Sequence, residues 1–386
     1  MSSLTPLPRL PRLQRRQFNA WAWSLLGASA SVSASVSAPV GAKVKDTPPA
    51  RTPLQFPRDF GSHPEQVIEW WYVTGSARSG QRVFGYQITF FRSHVRGVPK
   101  GRSAFAPEQL VFAHAALTDV QGKQLWHDQR SARAGLSLAG ASTQDTEVNL
   151  HPWSFQRVTH GKPADSHYEA RVQSDAFELQ LNFKPNQALL LQGLEGYSQK
   201  GPQPTQFSRY YSEPQMSVQG HISLHGQRFV LDADTEHRAW LDHEWSDELM
   251  APEAQGWDWM GLNFLDGSAL MAFRMRNRAG NAMWDASTFR DAQGKQTVTA
   301  PGQVQLVPGK RWKSPKTQVE YPVEWKLRLP GRELVVKAVI EAQELDSRAS
   351  TGAIYWEGLS EVFDVQGRLL GRGYVELTGY GQALRL

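Results

Sequence analysis

Apolar and polar residues alternate along many short segments of this chain. In "FELQLNFK", from Phe177 to Lys184, an apolar side chain occupies every second position. "EWKLRLP" and "VFGYQITFF" follow the same period, and turn-forming segments such as "DVQGKQ", "LHGQR" and "LPGRE" separate such runs. A period of two places side chains on opposite faces of a strand, whereas no window of a dozen residues shows the apolar stripe of a helix. The pattern predicts an all-β fold of antiparallel hairpins, either a barrel or a sandwich.

Two segments have the same order of features. From Trp70, "WWYVTGSARSGQRVFGYQITFFR" passes from an aromatic cluster through a glycine and a polar turn to an apolar run that ends in Arg92. From Trp257, "WDWMGLNFLDGSALMAFRMR" repeats this order and also ends in arginine. Each segment would open a barrel with a tryptophan at one end. We therefore predict two β-barrel domains, at residues 58–215 and 216–386, joined within "RYYSEPQMSVQGHISL".

The first 42 residues differ in composition from the rest of the chain. They contain four arginines and no acidic residue, and "RRQF" precedes the mildly apolar run "AWAWSLLGASASVSASVSA". This order is typical of a twin-arginine export signal, with small residues for cleavage at Ala38 or Ala42. We expect residues 1–42 to be the signal peptide, residues 43–57 to be a Pro-rich leader, and the mature protein to be periplasmic. A disordered basic tail is the alternative.

The composition of the chain argues against several kinds of binding partner. The chain has no cysteine, which suits a route that exports folded proteins and excludes lipid attachment to an N-terminal cysteine. The apolar run is too short and too rich in serine to span a bilayer. The formal net charge is +5, and four of the basic residues lie in the predicted signal, so no basic stripe for nucleic acid remains. We expect neither a nucleic-acid partner nor a membrane span after removal of the signal.

Four groups of segments concentrate aromatic and ionisable side chains. "GSHPEQVIEWWYVTG" and "FAHAALTD" lie in the first half of the chain. "SRYYSEP" precedes the densest stretch, "HRAWLDHEWSDELMAPEAQGWDWMG". "IYWEGLSEVF" and "GYVELTGYG" lie near the C-terminus. These segments hold the candidate site residues.

The segment "AWLDHEW" has the character of a strand, which divides its charged residues. Because successive side chains alternate, Asp242 and Glu244 are expected on one face, and His243 and Trp245 on the other. His237 and His243 would lie about 20 Å apart along a strand, too far to share a metal ion unless a loop intervenes. The chain also lacks cysteine and a G-x-S-x-G nucleophile elbow. Neither a metal site nor nucleophilic hydrolysis is therefore favoured.

Acid–base chemistry in an aromatic pocket is the third interpretation of this stretch. Tryptophan walls remove solvent from a carboxyl group and raise its pKa, so that it donates a proton near neutral pH. A carbocation formed beside it would be stabilised by the faces of Trp245, Trp257 or Trp259. His243 could accept a proton from the attacking water, which suits the addition of water to an isolated C=C bond. A plain core, in which indole N–H groups donate to Asp and Glu, has the same composition.

Six motifs occur in order between His63 and Gly381: "HPEQVIEWWYVTG", "FAHAALTD", "RYYSEPQMSVQG", "AWLDHEWS", "GWDWMGLNFLDGSALMAFR" and "YWEGLSEVFDVQGRLLGRGYVELTGYG". Together they resemble the lipocalin-like family that includes AttH and carotenoid 1,2-hydratase, also described as predicted secreted hydrolases. The resemblance covers nearly the whole mature chain. It implies two calycin-like, antiparallel β-barrel domains packed together, with a cavity for a hydrophobic ligand.

The resemblance also implies site residues. "DHEW" is similar to the His-x-Trp pair of the hydratase branch, at His243 and Trp245. That branch has an acidic residue on the strand after the next turn, whereas "GSALMAFRMR" has none, so Asp242 or Asp258 would have to replace it. We predict Asp242, His243 and Trp245 as the catalytic residues of such an enzyme. Ligand contacts are predicted from a larger set, with no metal and no cofactor: Glu69, Trp70, Trp71, Tyr72, His114, Tyr210, Glu244, Trp257, Asp258, Trp259 and Glu357.

Three functions are compatible with this pattern, and the sequence favours the first. It is an exported lipocalin-like protein that binds a lipid- or isoprenoid-like molecule, with an envelope ABC transport system as a partner by analogy with the family. The second is a hydratase or hydrolase that acts on such a molecule by acid–base chemistry. The third is an envelope protein whose tryptophans form only a core.

Overall fold

The computed structural model of the protein describes residues 52–95, 108–135, 137–162, 165–233 and 236–384. The predicted signal peptide and the leader up to residue 51 lie outside these residues. Within them the chain forms strands, turns and one 3-10 turn at Arg58–Phe60, and no α-helix. The described segments accordingly include no helix long and apolar enough to cross a membrane. The prediction of an all-β fold is confirmed.

Fourteen strands form the first sheet, with every pairing antiparallel. In chain order they are β1 (Ile68–Ser79), β2 (Arg82–His94), β3 (Gln109–Asp119), β4 (Gln124–Arg133), β5 (Ala139–Ala141), β6 (Glu147–Leu150), β7 (Trp153–Thr159), β8 (Ser166–Gln173), β9 (Phe177–Lys184), β10 (Leu190–Leu191), β11 (Tyr197–Gln199), β12 (Phe207–Leu224), β13 (Gln227–Val230) and β14 (Ala239–Glu248). The main path across the sheet is β4-β3-β2-β1-β14-β12-β9-β8-β7-β6-β5.

Ten strands form the second sheet, and two more form a separate ribbon. The ten are β15 (Ala254–Phe264), β16 (Ala269–Asn277), β17 (Ala282–Arg290), β18 (Gln296–Thr299), β19 (Gln305–Pro308), β22 (Glu324–Leu329), β23 (Arg332–Ala338), β24 (Glu344–Ser347), β25 (Ala353–Phe363) and β26 (Leu369–Leu377). The main path is β18-β17-β16-β15-β26-β25-β23-β22-β19. The ribbon pairs β20 (Arg311–Lys313) with β21 (Glu320–Pro322).

Alternating burial explains why these segments form strands. Along β9 the side chains of Phe177, Leu179, Leu181 and Phe183 are buried, and those between them are exposed or half-buried. The buried set joins one large apolar core inside the first sheet, and a second core lies inside the second sheet. Burial of apolar side chains on one face of each strand fixes its register, because a one-residue slip would turn that face to solvent.

The two sheets repeat one arrangement of strands. In each, the first four strands form a meander, and the first strand also pairs with the last strand of its set: β1 with β14, and β15 with β26. A buried acid–arginine pair recurs at matching positions, with Glu69 opposite Arg92 on β1–β2 and Asp258 opposite Arg274 on β15–β16. The likeness between the segments from Trp70 and Trp257 therefore corresponds to two equivalent hairpins.

The strand pairing divides the chain at a different place from the expected boundary at residue 215. Strand β12 runs through that position, and β14 pairs with β1 in the first sheet. The division between the sheets therefore falls between β14 and β15. The stretch "AWLDHEW" forms most of β14, which belongs to the first sheet, and its partners on β1 lie about 170 residues earlier in the chain. That each sheet forms a separate domain stays a prediction.

The sheets meet through close backbone approach and buried hydrogen bonds. A Cβ atom on Gly85 of β2 would lie 2.7 Å from the Tyr374 hydroxyl of β26, so this contact requires glycine. The backbone N–H of Gln215 donates to Asn263 Oδ1 (2.8 Å), and the Thr118 hydroxyl donates to Gln343 Oε1 (2.9 Å). These contacts join β2, β3 and β12 of the first sheet to β15, β26 and the segment before β24 of the second sheet.

Candidate functional site

Strand β14 carries different chemistry on its two faces. The side chains of Leu241, His243 and Trp245 lie on the inner face of the first sheet, with Trp71 of β1 stacked on His243 at a ring-centroid distance of 4.7 Å. Those of Asp242 and Glu244 lie on the outer face, toward the second sheet. The predicted alternation is confirmed, and no bulge brings the two sets together.

On the inner face, Glu69 is the centre of a buried hydrogen-bond network. Its carboxylate accepts from the Ser62 hydroxyl (2.8 Å), the backbone N–H of His63 (2.9 Å) and Arg92 Nε (2.8 Å). His63 Nδ1 and His243 Nε2 lie 2.8 and 2.9 Å from its Oε1 atom. We call these five residues the Glu69 network. It ties the segment before β1 to β1, β2 and β14.

Protonation in the Glu69 network follows from its donors. Burial alone would raise the pKa of Glu69, but hydrogen bonds from His243 and His63 hold it far below its ordinary value. Burial lowers the pKa of His243, and the bond to Glu69 offsets only part of this. For His63, burial is outweighed by hydrogen bonds to Asp59 and Glu69, so its pKa is raised. Glu69 is thus an ionised anchor.

Three residues of the Glu69 network have side chains of the kinds that bind metal ions. Ligand atoms of His63, Glu69 and His243 lie within 4.8 Å of one another. Each carboxylate oxygen of Glu69 is already bound by donors, and the guanidinium of Arg92 lies 2.8 Å from one of them. A cation at this point would meet that fixed positive charge. The donor set therefore fits an internal anchor better than a metal centre.

On the outer face, a cavity of about 290 Å³ lies between the two sheets. We call it the inter-sheet cavity. Most of its wall is apolar or aromatic: Trp70, Phe91, Phe112, Trp257, Trp259, Phe273 and Met275. Its polar wall includes Tyr72, His114, Lys200, Asp242, Glu244, Glu357 and Glu376. An apolar cavity with a few convergent polar groups is the usual form of a small-molecule site.

Asp242 is held firmly at the wall of the inter-sheet cavity. Its carboxyl group accepts hydrogen bonds from the Tyr210 hydroxyl (2.7 Å), the Ser212 hydroxyl (2.5 Å) and Trp240 Nε1 (2.6 Å). Burial raises the pKa of Asp242 to about 7, although these three bonds act in the opposite direction. The nearby Glu244 carboxylate adds to the rise. Asp242 therefore changes protonation near neutral pH, as a proton donor or acceptor must.

Glu244, the other acid on this face of β14, has a cationic partner. Lys200 Nζ lies 2.8 Å from Glu244 Oε1, and both side chains are at most 7% exposed. The same ammonium lies 4.5 Å from the ring centroids of Tyr210 and Phe273, a cation–π geometry. This pair therefore contributes little net charge to the cavity.

Two further carboxyl groups face the cavity from the second sheet. Glu357 of β25 and Glu376 of β26 are directly opposite each other in the strand register. Burial raises the pKa of Glu376 to about 7, a hydrogen bond from Trp257 opposes this, and the charges of Asp242 and Glu244 reinforce it. Burial, and then the charge of Glu376, raise the pKa of Glu357 well above its ordinary value. Neither carboxyl group has an ion-pair partner among the described residues.

His114 closes one side of the cavity. Its Nδ1 atom lies 2.9 Å from the Tyr355 hydroxyl, and its Nε2 atom lies 2.8 Å from Ser350 Oγ. Burial lowers the pKa of His114 to about 4, so the imidazole is neutral at physiological pH. It links the first sheet to the segment that precedes β25.

The structure separates the predicted site residues into two groups. Eight line the inter-sheet cavity: Trp70, Tyr72, His114, Asp242, Glu244, Trp257, Trp259 and Glu357. Tyr210 adjoins it, because it donates to Asp242 and accepts from Trp259 Nε1 (3.1 Å). The remaining five lie on the inner faces of the sheets: Glu69, Trp71, His243, Trp245 and Asp258.

This placement separates the three predicted catalytic residues, with Asp242 at the cavity and His243 and Trp245 on the inner face. The first sheet stands between His243 and the inter-sheet cavity, so His243 cannot accept a proton from water bound there. Trp245 stacks on His63 at 3.7 Å and cannot face a carbocation in the cavity. Asp258 is bound by Arg274 and Arg276 at 2.6 and 3.0 Å on the inner face of the second sheet. These residues are anchors.

Sequence reasoning missed several cavity residues, among them the charged residues Glu376 and Lys200. Glu376 stands between Val375 and Leu377 in "GYVELTGYG", so period-two alternation would have placed it opposite the core of the second sheet. Lys200 lies after β11 in "SQKGPQ", which has no motif. Its pairing with Glu244 becomes visible only in three dimensions.

Comparison with known proteins agrees with the fold. The model of one protein family, AttH-like, matches residues 47–380. The chain belongs to the AttH-like family. An AttH-type protein (NE1406) from Nitrosomonas europaea, known from its crystal structure, is 42% identical in sequence to this chain, with a TM-score of 0.79. The match covers 86% of this chain and 99% of the other protein. No curated protein sequence matches significantly.

Two more distant structures share the architecture of this AttH-like protein. Kievitone hydratase from Nectria haematococca is 14% identical with a TM-score of 0.65, over 86% of this chain and 94% of the hydratase. CghA in complex with Sch210972 is 12% identical with a TM-score of 0.53, over 84% and 90%. At these identities the likeness shows the fold alone. The expected lipocalin-like fold, and the resemblance that implied it, are confirmed.

Proposed function

We propose that this AttH-like protein binds an apolar, unsaturated small molecule in the inter-sheet cavity and exchanges a proton with it through Asp242. The observation that carries the proposal is the position of Asp242. Its carboxyl group is buried, lines an aromatic cavity, and has a pKa raised to about 7. The reaction class is that of a hydratase or lyase. Kievitone hydratase has the same fold, which supports this class as an analogy.

The walls of the cavity select the ligand. Aromatic and aliphatic side chains from both sheets form most of its surface, so transfer of an apolar molecule from water is favourable. The volume of about 290 Å³ suits a small molecule, and a lipid- or isoprenoid-like unit fits this description. A bound ligand would contact both sheets at once.

The proton step uses Asp242 in its neutral form. The acid O–H gives its proton to one carbon of a C=C bond, and the π electrons form the new C–H bond. The cation on the other carbon would lie among the rings of Trp70, Trp257 and Trp259, which attract positive charge through their faces. The oxygen of a water molecule then bonds to that carbon, and its released proton returns to the carboxylate. The reverse sequence eliminates water from an alcohol.

Three hydrogen bonds prepare Asp242 for this step. Tyr210, Ser212 and Trp240 all donate to its carboxyl oxygens, so they stabilise the carboxylate that remains after the proton has left. Because these donors are themselves buried, they need no reorganisation during the reaction.

A carrier that binds the same ligand without changing it is the second candidate. The predominance of apolar wall favours it, since such a surface alone would retain a hydrophobic molecule. The two candidates share the cavity and differ in what Asp242 does. An envelope ABC transport system as a partner stays a prediction from the family resemblance.

The test uses a panel of unsaturated isoprenoids incubated with the protein in ²H₂O. We expect a product heavier by one molecule of ²H₂O, detected by mass spectrometry, and its loss in Asp242→Asn. Displacement of N-phenyl-1-naphthylamine measures binding separately. Turnover by Asp242→Asn at the wild-type rate would contradict the role of Asp242. Binding without turnover in every member of the panel would favour the carrier.

We also propose that the protein is exported to the periplasm by the twin-arginine route. The "RRQF" pair and the apolar run after it support this. The N-terminal sequence of the periplasmic protein is expected to begin after Ala38 or Ala42, and replacing Arg15 and Arg16 by lysine is expected to retain the protein in the cytoplasm. Recovery of the lysine variant from the periplasm would contradict this route.

A further inference from the structure

Two buried polar atoms that face the inter-sheet cavity have neither a hydrogen-bond nor an ion-pair partner among the described residues. Glu357 is 2% exposed, and its Oε1 atom accepts no hydrogen bond from any described residue. Tyr72 is 5% exposed, and its hydroxyl likewise has no hydrogen-bond partner among them. Both residues line the cavity, one from each sheet. A buried polar atom without a partner costs free energy, so such atoms at a cavity point to a ligand group that satisfies them.

The two residues are close neighbours. Tyr72 lies near enough to Glu357 to lower the pKa of that carboxyl group, although burial and the charge of Glu376 act more strongly in the other direction. Their contact affects the pKa of both groups, but it leaves the Tyr72 hydroxyl and Glu357 Oε1 without a full hydrogen bond, so both are left to be satisfied. Glu376 is opposite Glu357 in the register of β25 and β26 and completes this part of the wall.

We propose that Tyr72, Glu357 and Glu376 form a subsite that binds the hydroxyl group of an otherwise apolar ligand. A ligand hydroxyl donates its hydrogen to Glu357 Oε1 and accepts a hydrogen bond from the Tyr72 hydroxyl. This proposal rests on the proposed function, because the alcohol is the hydrated form of the unsaturated ligand. It adds the chemical class of the molecule that the cavity holds best.

Other polar groups fit this subsite less well. A ligand carboxylate or phosphate accepts hydrogen bonds but offers no hydrogen to Glu357 Oε1, and Lys200 on the cavity wall is already paired with Glu244. An ammonium group satisfies Glu357 but offers no acceptor to the Tyr72 hydroxyl. A hydroxyl group is donor and acceptor at once.

The test compares limonene, a hydrocarbon, with α-terpineol, the alcohol formed when water adds to it. The affinity of each compound is measured by its displacement of the fluorescent probe N-phenyl-1-naphthylamine from the full-length protein. We expect wild type to bind α-terpineol about tenfold more tightly than limonene, since two ligand hydrogen bonds replace two unsatisfied groups. Tyr72→Phe removes only the hydroxyl, and Glu357→Leu replaces the acid by an apolar group. Both variants are expected to reduce the preference to about twofold while limonene affinity is kept.

Tyr86→Phe is the matched control. The Tyr86 hydroxyl is also buried without a hydrogen-bond partner among the described residues, but it lies in the core of the first sheet. This variant is expected to keep the full preference for the alcohol. A thermal unfolding curve for each variant confirms that it is folded.

The outcomes separate the subsite from the proposed function. If limonene binds but the alcohol has no advantage, or if Tyr72→Phe and Glu357→Leu both keep that advantage, the subsite is overturned and the apolar cavity stands. If neither compound displaces the probe from the folded protein, the proposed function is overturned and the subsite with it.

Discussion

Buried carboxyl groups occupy two settings in this protein. On the inner faces of the sheets, Glu69 and Asp258 are each bound by arginine, and at the inter-sheet cavity Asp242 and Glu357 are not. All are shielded from solvent by protein. The pKa of Glu69 is far below its ordinary value, whereas burial raises that of Asp242 to about 7.

The contrast shows that burial alone does not decide the role of an acid. Cationic and N–H donors around Glu69 stabilise its charge, so it fixes the segment before β1 in place and cannot release or take up protons near neutrality. Around Asp242 the donors are neutral, so burial raises its pKa, the Glu244 carboxylate adds to the rise, and the neutral form is populated. The first setting holds the fold together, and the second can perform acid–base chemistry.

The largest expected effect is on stability, from Glu69→Ala. The change leaves Arg92 buried without its counter-charge and removes one of the two acidic partners of His63, so we expect the free energy of unfolding to fall by about 3–5 kcal/mol. Urea unfolding measures it, with Glu69→Gln, which keeps an acceptor, as the milder control. A change within error of zero would show that the Glu69 network is not an anchor.

His243→Ala is expected to lower the free energy of unfolding by less, about 1–3 kcal/mol. The change removes one buried hydrogen-bond partner of Glu69 and the stack with Trp71. Affinity for N-phenyl-1-naphthylamine is expected to remain at the wild-type level, since the first sheet separates His243 from the cavity. Full stability combined with lost binding would place His243 in the site after all.

The pH dependence of stability distinguishes the two settings by sign. The pKa of Asp242 is raised on folding, so its contribution to stability is complete below its unfolded value of 3.8 and is lost as pH rises to about 7. The pKa of Glu69 is lowered, so its contribution is present above 4.5 and is lost as pH falls. As pH rises from 3.8 to about 7, the free energy of unfolding of Asp242→Asn is expected to increase relative to that of wild type, by at most about 1.4 kcal/mol for each pH unit. Urea unfolding at several pH values measures this difference. A difference that is constant with pH would contradict the raised pKa.

The smallest expected effect comes from Glu213→Gln, the matched control for Asp242→Asn. Burial raises the pKa of Glu213 to about 7 as well, but this residue bonds to Tyr168 inside the first sheet and does not line the cavity. Ligand affinity and any turnover are expected to stay at wild-type levels. Equal loss in both variants would indicate that the acids matter only for folding.

Local features were predictable from the sequence, and distant pairings were not. Alternation predicted β9 correctly and placed Asp242 and His243 on opposite faces of β14. The sequence could not show that β14 pairs with β1, because Trp71 and His243 are opposite each other across more than 170 residues of chain. For the same reason the sequence could not place the division between the two sheets, and Lys200 and Glu376 were missed.

The family motif also needed the structure for its interpretation. "DHEW" drew attention to His243 and Trp245 as a His-x-Trp pair. Asp242 and Glu244, which alternate with them along β14 and lie on its opposite face, are the residues that line the cavity. Which face of a strand meets a ligand depends on what packs against it, and that information lies in β15, β25 and β26.

The most direct test is an NMR titration of carboxyl groups in protein carrying ¹³C-labelled aspartate. We predict one aspartate resonance with a midpoint at a pH of about 7, absent in Asp242→Asn and retained in Glu69→Gln. If Asp242 instead titrates near its ordinary value of 3.8, it is ionised at neutral pH and cannot be the proton donor of the cavity.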